Sequence, residues 1–138
     1  MKITFVNLKR EMHSNHPVHL YAPLDLGYCI SLAEREGHEV FFIDANVKCY
    51  DKNKVISLIK ESKCQAVVIK PEINTESLAL DITSKISNDV IYKIIIGPVA
   101  TMQYKDFIFK GSPINFLILE EPEMTFLELI RQLDSRKN

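Results

Sequence analysis

The sequence predicts an α/β domain built on a doubly wound, five-stranded parallel sheet. Three observations predict it. Five short apolar runs, rich in β-branched and aromatic residues, recur along the chain without polar alternation, so both faces of their sheet should be covered. Segments of helical periodicity lie between and after them. The 138 residues carry no internal repeat and no linker-like stretch, so a single three-layer domain spanning 1–138 accounts for all of them.

The elements follow in order. Residues 3–6 (Ile-Thr-Phe-Val) form the first strand, and an unusually long connection, 7–23, follows it. A helix over 24–36 presents Leu26, Ile30 and Ala33 on one face and ends at Gly37, its C-cap. The second strand is 40–43. Asp51 then caps a helix over 52–62 that carries Val55, Ile56, Leu58 and Ile59. The third strand is 66–69. A helix over 76–87 follows, with Thr75 as its cap and Leu78, Ile82 and Ile86 at four-residue steps. The fourth strand is 90–96. Residues 102–113 predict a short helix or an irregular crossover. The fifth strand, 116–119, leads to a helix over 122–133. Pro122 sits in its first turn, Glu121 and Glu123 flank its positive end, and Phe126, Leu127, Ile130 and Leu133 make its stripe. Strands alternating with helices in this way give a Rossmann/flavodoxin-like topology.

Composition narrows the function less. Apolar residues are 46% and charged residues 25%, and the net charge is −1, so neither nucleic acid nor an anionic membrane is an expected partner. No apolar run reaches the length of a membrane span, and the N-terminus is too short an apolar run for a signal peptide. Cys29, Cys49 and Cys64 are too widely spaced for a zinc ribbon, a cysteine-ligated cluster or a disulfide framework. They read as small buried hydrophobes in a reducing compartment, and a cytoplasmic location is expected.

In a doubly wound sheet the ligand sits outside the C-terminal strand ends. That singles out the loops 7–23, 70–75 and 97–103. The first holds His13, His16 and His19, three imidazoles that would ligate a metal on a helical turn; Pro17 interrupts them, and a polar surface loop is the alternative. No G-x-G-x-x-G or Walker loop follows the first strand, no acidic pair stands at 7–10, and no G-x-S-x-G appears. Asp44 closes the second strand, where a turn or cap suits it better than a ribose. Gly97-Pro98-Val99-Ala100-Thr101 closes the fourth strand. These small residues would let a bulky planar ligand approach the backbone, with a tight turn as the other reading.

Particular segments resemble a known family. Tyr21-Ala22-Pro23-Leu24-Asp25-Leu26-Gly27-Tyr28 is similar to its Y-x-P-L-G-L-x-Y, Gly37-His38-Glu39-Val40 to its G-H-x-V, and Ile43-Asp44 to its strand ending in I-D. Ile94 to Thr101 resembles a strand ending in G-G-P-H-A-T. Asn115 to Leu129 resembles D-x-V-V-x-G-E-G-E-x-T-F-x-E-L, with Glu121, Glu123, Thr125, Phe126, Glu128 and Leu129 in register. The family is the cobalamin-binding-like domain that precedes the catalytic barrel of many radical S-adenosylmethionine (SAM) enzymes. Four of its glycines are replaced, by Asp25, Ile96, Glu120 and Pro122, and the histidine of its G-G-P-H-A-T by Val99, which predicts a remodelled edge.

The resemblance implies a cobalamin held face-on at that edge by Leu24, Lys70, Thr75, Gly97, Pro98, Ala100, Thr101 and Glu121. Lys70 and Glu72 add charge that a largely amide-decorated corrin does not require. A separate cobalamin family places an axial histidine after the first strand, and His13 stands in the corresponding loop without that family's acid or glycine. SAM and the iron–sulfur cluster would belong to a radical SAM barrel, as a further domain or a subunit. On this reading the 138 residues are not catalytic alone. The alternatives are a degenerate, cofactor-free module acting in protein–protein docking, and a small metal enzyme using the histidine loop.

Overall fold

A computed structural model describes residues 1–10, 22–86 and 88–135. Five strands, all parallel, run in the order β2-β1-β3-β4-β5. They are β1 (Lys2–Asn7), β2 (Glu39–Asp44), β3 (Ala66–Lys70), β4 (Tyr92–Ile95) and β5 (Phe116–Leu117). The helices are α1 (Leu24–Arg35), α2 (Ala45–Lys48), α3 (Lys52–Ser62), α4 (Glu76–Lys85), α5 (Pro98–Met102), α6 (Tyr104–Phe107) and α7 (Glu123–Ser135). The chain steps outward from β1 to β2, then returns to the other side of β1 for β3. The β1/β3 boundary is therefore the topological switch point.

Alternate residues of the central strands feed two cores. On one face Ile3, Phe5, Val68, Ile94 and Ile96 pack against Leu26, Cys29 and Ala33 of α1 and Phe126, Leu127 and Ile130 of α7. The rings of Phe5 and Phe126 meet edge to face with centroids 5.6 Å apart. On the other face Val6, Val67, Ile69 and Ile95 pack against Val55 and Ile59 of α3, Ala79 and Ile82 of α4, and Phe107.

The ends of the elements differ from the sequence reading in ways the chemistry explains. Gly37 is C′ rather than the cap itself. It takes φ +81°, and the bonds Gly37 N→Glu34 O and His38 N→Ala33 O close α1 in a Schellman motif with Glu36 as its cap. Asp51 caps α3 as expected, its carboxylate accepting from Lys54 N at 2.8 Å. Thr75 precedes α4, but its hydroxyl makes no cap bond. α4 stops at Lys85, and Ile86 is its cap. Pro122 lies just before α7 rather than inside it, its carbonyl accepting from Phe126 N.

β4 and β5 are shorter than their apolar runs, because hydrogen-bonded pairing and not hydrophobicity bounds a strand. The ladder continues past β5 only as far as Ile118 N→Ile95 O, and Glu120 then turns the chain at φ +61°. β2 departs most from the expectation of two covered faces. It is an edge strand, and Phe41 and Phe42 are 44% and 42% exposed. Cys29 and Cys64 are buried, whereas Cys49 is exposed at the end of α2. Among the described residues no helix is long and apolar enough to cross a membrane.

Candidate functional site

Parallel pairing aligns the last residues of three neighbouring strands. Asn7 stands beside Asp44 on one side and Lys70 on the other. All three lie at the C-terminal rim, and Asn7 and Lys70 flank the switch point. Asn7 is buried; its Nδ2 donates to Asp44 Oδ1 at 3.0 Å, while its Oδ1 accepts no hydrogen bond. Asp44 Oδ1 also accepts from Val47 N at 3.1 Å and caps α2, the role its position predicted.

The next turn of chain carries a compact charge cluster. Lys70 and Glu72 are both buried, and Lys70 Nζ lies 2.8 Å from Glu72 Oε1. Arg10 reaches the other carboxylate oxygen at 3.2 Å. A buried carboxylate with cationic partners on both oxygens keeps its charge compensated, and removal of either cation would be costly. Thr75 braces this loop: its hydroxyl accepts from Glu72 N and donates to Glu72 O, both at 2.8 Å. Being fully buried, it presents no polar atom to the rim.

Gly97 adopts φ +103°, a region that favours glycine. The space its missing side chain leaves is nevertheless taken. A Cβ there would meet Lys70 Cγ at 3.2 Å and Asp25 Oδ2 at 3.3 Å. The stem of Lys70 and the carboxylate of Asp25 thus stand over the backbone that the sequence reading left open to a planar ligand. Pro98 is exposed and Ala100 is buried. Thr101 Oγ1 accepts from Glu120 N at 2.6 Å, which ties the loop after β4 to the loop after β5. Glu121 is exposed next to that tie.

Around this polar floor the rim exposes apolar side chains. Leu24 opens α1, Ile73 lies in the β3–α4 loop, Met102 ends α5, Leu119 follows β5, and Met124 lies in the first turn of α7. All are between 41% and 81% exposed. Among the described residues, the helix or loop that follows each of β1, β3, β4 and β5 carries at least one of them, which makes this rim a candidate binding surface. Below it, burial pushes the Cys29 thiol up to about 12, helped by the charges of Glu123 and Asp25.

Of the predicted site residues, then, Lys70 and Gly97 are in contact and Leu24, Pro98, Thr101 and Glu121 lie along the same rim, while Thr75 and Ala100 are enclosed. Sequence reasoning missed Asn7 and Arg10, although Asn7, Lys9 and Arg10 directly after a buried strand were a usable signal. His13, with His16 and His19, lies outside the described residues. Among the described residues no group of three His, Cys, Asp or Glu side chains is placed to hold a metal. His38 stands at the opposite end of the sheet, with Nδ1 3.0 Å from the Met1 ammonium. Two clefts, of about 430 and 250 Å³, lie elsewhere: one beside β5 between Phe107 and Leu117, the other between Glu36, His38, Arg131 and Asp134.

No protein-family model matches the sequence, and no curated protein matches it. Solved structures do. The chain superposes on the cobalamin-dependent S-adenosylmethionine radical enzyme OxsB, with aqua-cobalamin and S-adenosylmethionine bound, at a TM-score of 0.76 and 22% identity. It superposes on the radical S-adenosylmethionine methyltransferase TsrM from Kitasatospora setae, with cobalamin and a [4Fe-4S] cluster bound, at 0.73 and 16%. The apo form of OxsB gives 0.67 at 22%. Each match covers 97% of this chain but only 19% of OxsB and 24% of TsrM. The chain thus spans only about a fifth to a quarter of the length of the enzymes whose fold it shares.

Proposed function

We propose that this chain is a corrinoid-binding domain, one that positions cobalamin for the catalytic barrel of a radical SAM enzyme. The collar of exposed apolar side chains around the switch-point rim carries this reading. The fold it shares with two cobalamin-holding enzymes supports it. The described rim fits a corrin laid flat upon it. Leu24, Ile73, Met102 and Leu119 match the apolar face of a macrocycle, and Thr101, partly exposed, and Glu121, exposed, would offer polar groups to its amide fringe, with the buried Lys70 beneath them. It does not fit a corrin pressed onto the Gly97 backbone, because Lys70 and Asp25 hold that space.

Bound there, cobalamin would supply the cobalt chemistry. The chain's own residues bind and orient it. Leu24, Ile73 and Met102 would exclude water from the ring face. Lys70, held by Glu72, would present a fixed donor rather than a mobile one. Cys29, Cys49 and Cys64 are too widely spaced to ligate an iron–sulfur cluster together, so on this reading SAM and the cluster would be held by the barrel, as a further domain or a separate subunit.

Visible spectroscopy tests the reading. The protein is mixed with hydroxocobalamin, desalted and scanned. Near-stoichiometric corrin absorbance is expected, and no retention at micromolar concentrations sinks the proposal. In that event the cofactor-free docking module takes its place, a reading favoured by the Lys70 and Asp25 side chains already packed over Gly97.

A further inference from the structure

We propose that the margin of the sheet beyond β5 is a self-complementary interface, through which two copies of this chain pair about a two-fold axis. This surface lies away from the switch-point rim, so the pairing is independent of the corrinoid reading.

The helical layer on the α3/α4 side thins towards β5. α3 and α4 run for 11 and 10 residues, whereas the crossover from β4 to β5 supplies only α5 and α6, of five and four. The margin left uncovered is the cleft of about 430 Å³ beside β5, with Phe107, Ile114 and Leu117 among its walls. Phe107 is buried in the core on this face, and Ile114 and Leu117 pack against that core. Two knobs stand at the lip of this hole: Ile108 and Phe109 are 61% and 51% exposed. The backbone beside them is braced. Ser112 N donates to Phe109 O at 3.0 Å, Gly111 supplies the positive φ of that turn at +89°, and Ser112 Oγ donates to Phe107 O at 2.8 Å. A patch that carries knob and hole together fits a copy of itself, because an isologous contact has residue i meeting j and j meeting i.

Charge selects the same occupant. Residues 106–110 read Asp-Phe-Ile-Phe-Lys. Laid antiparallel on its copy and centred on Ile108, this segment sets Phe109 against the cleft wall at the partner's Phe107, and Asp106 against the partner's Lys110, each twice. Asp106 and Lys110 are exposed, and among the described residues neither forms an ion pair. A partner surface of one sign would leave one of the two unmatched. The patch is smaller than the roughly 20–30 residues a side of a stable interface, so the dimer is a weak one, with a dissociation constant on the order of 10–100 μM.

Sedimentation velocity on the intact chain, over a concentration series reaching about 500 μM, tests the pairing. The sedimentation coefficient is expected to climb from that of a monomer to that of a dimer. Phe109→Glu, at an exposed position, should weaken the dimer at least about tenfold. Asp106→Lys and Lys110→Asp, each alone, set like charges face to face twice and should weaken it about tenfold, and the two together should restore it. Thermal melts alongside verify that the variants are folded. A monomer throughout the series overturns the proposal. So does a dimer that Phe109→Glu leaves unchanged, or a double exchange that fails to recover what the single ones lose.

Discussion

Cys29 and Cys49 carry the same thiol in opposite surroundings. Cys29 is sealed between α1 and the sheet with a pKa pushed up to about 12, Cys64 is also buried, and Cys49 is exposed. A disulfide-exchange reagent should therefore titrate one thiol quickly in the native protein and the other two only on unfolding. The Cys29 shift also has a sign. Below pH 9 the thiol is protonated in both states; above it the unfolded chain loses the proton while the fold keeps it, so stability falls as pH rises from 9 towards 12. Denaturant melts between pH 8 and 10.5 should show a steeper loss for the wild type than for Cys29→Ala. The site was legible at this scale only in part. The run 70–75 was readable as a ligand-edge loop, and Asp25 as a departure from the family pattern. Their meeting over Gly97 was not, because it depends on how α1, β3 and β4 converge.

Helix faces were the most readable elements, because their signal is local and repeated. Phe126, Leu127, Ile130 and Leu133 were read as the stripe of α7, and all four are buried. Phe126→Ala should cost about 3–5 kcal/mol in urea melts, since it removes a ring packed against Phe5 and leaves a cavity. Asp51→Ala, which deletes only the cap of α3, should cost about 1 kcal/mol. A cost for Phe126→Ala no larger than that of Asp51→Ala would mean that the α7 face is not part of the core. Strand ends were harder to read. An apolar run reports burial, whereas the strand stops where the partner's carbonyls stop, as at Leu117. The exposure of Phe41 and Phe42 was hidden for a related reason: composition does not say that β2 lies at the sheet margin.

At the scale of the whole molecule, alternation of strands and helices fixed the layers but not the strand order, which depends on where each crossover returns. The order β2-β1-β3-β4-β5, by pairing β1 with β3, puts Asn7 and Lys70 side by side at the switch point. It also leaves the flank of α1 that faces β4 and β5 without a cover until α7 arrives. α7 supplies that cover through Phe126 and Ile130, and Arg131 clasps Glu36 with two bonds of 2.8 and 2.7 Å across 95 residues. A chain cut at residue 121 should accordingly bind a hydrophobic dye and be digested at low protease doses that spare the full length; equal resistance of the two would show that α7 is dispensable. For a ribosome making this protein, the consequence is one of timing. The first helix is finished early yet keeps the flank that α7 covers exposed until that helix has also been made, so the nascent domain depends on chaperones, or on delayed collapse, through that interval.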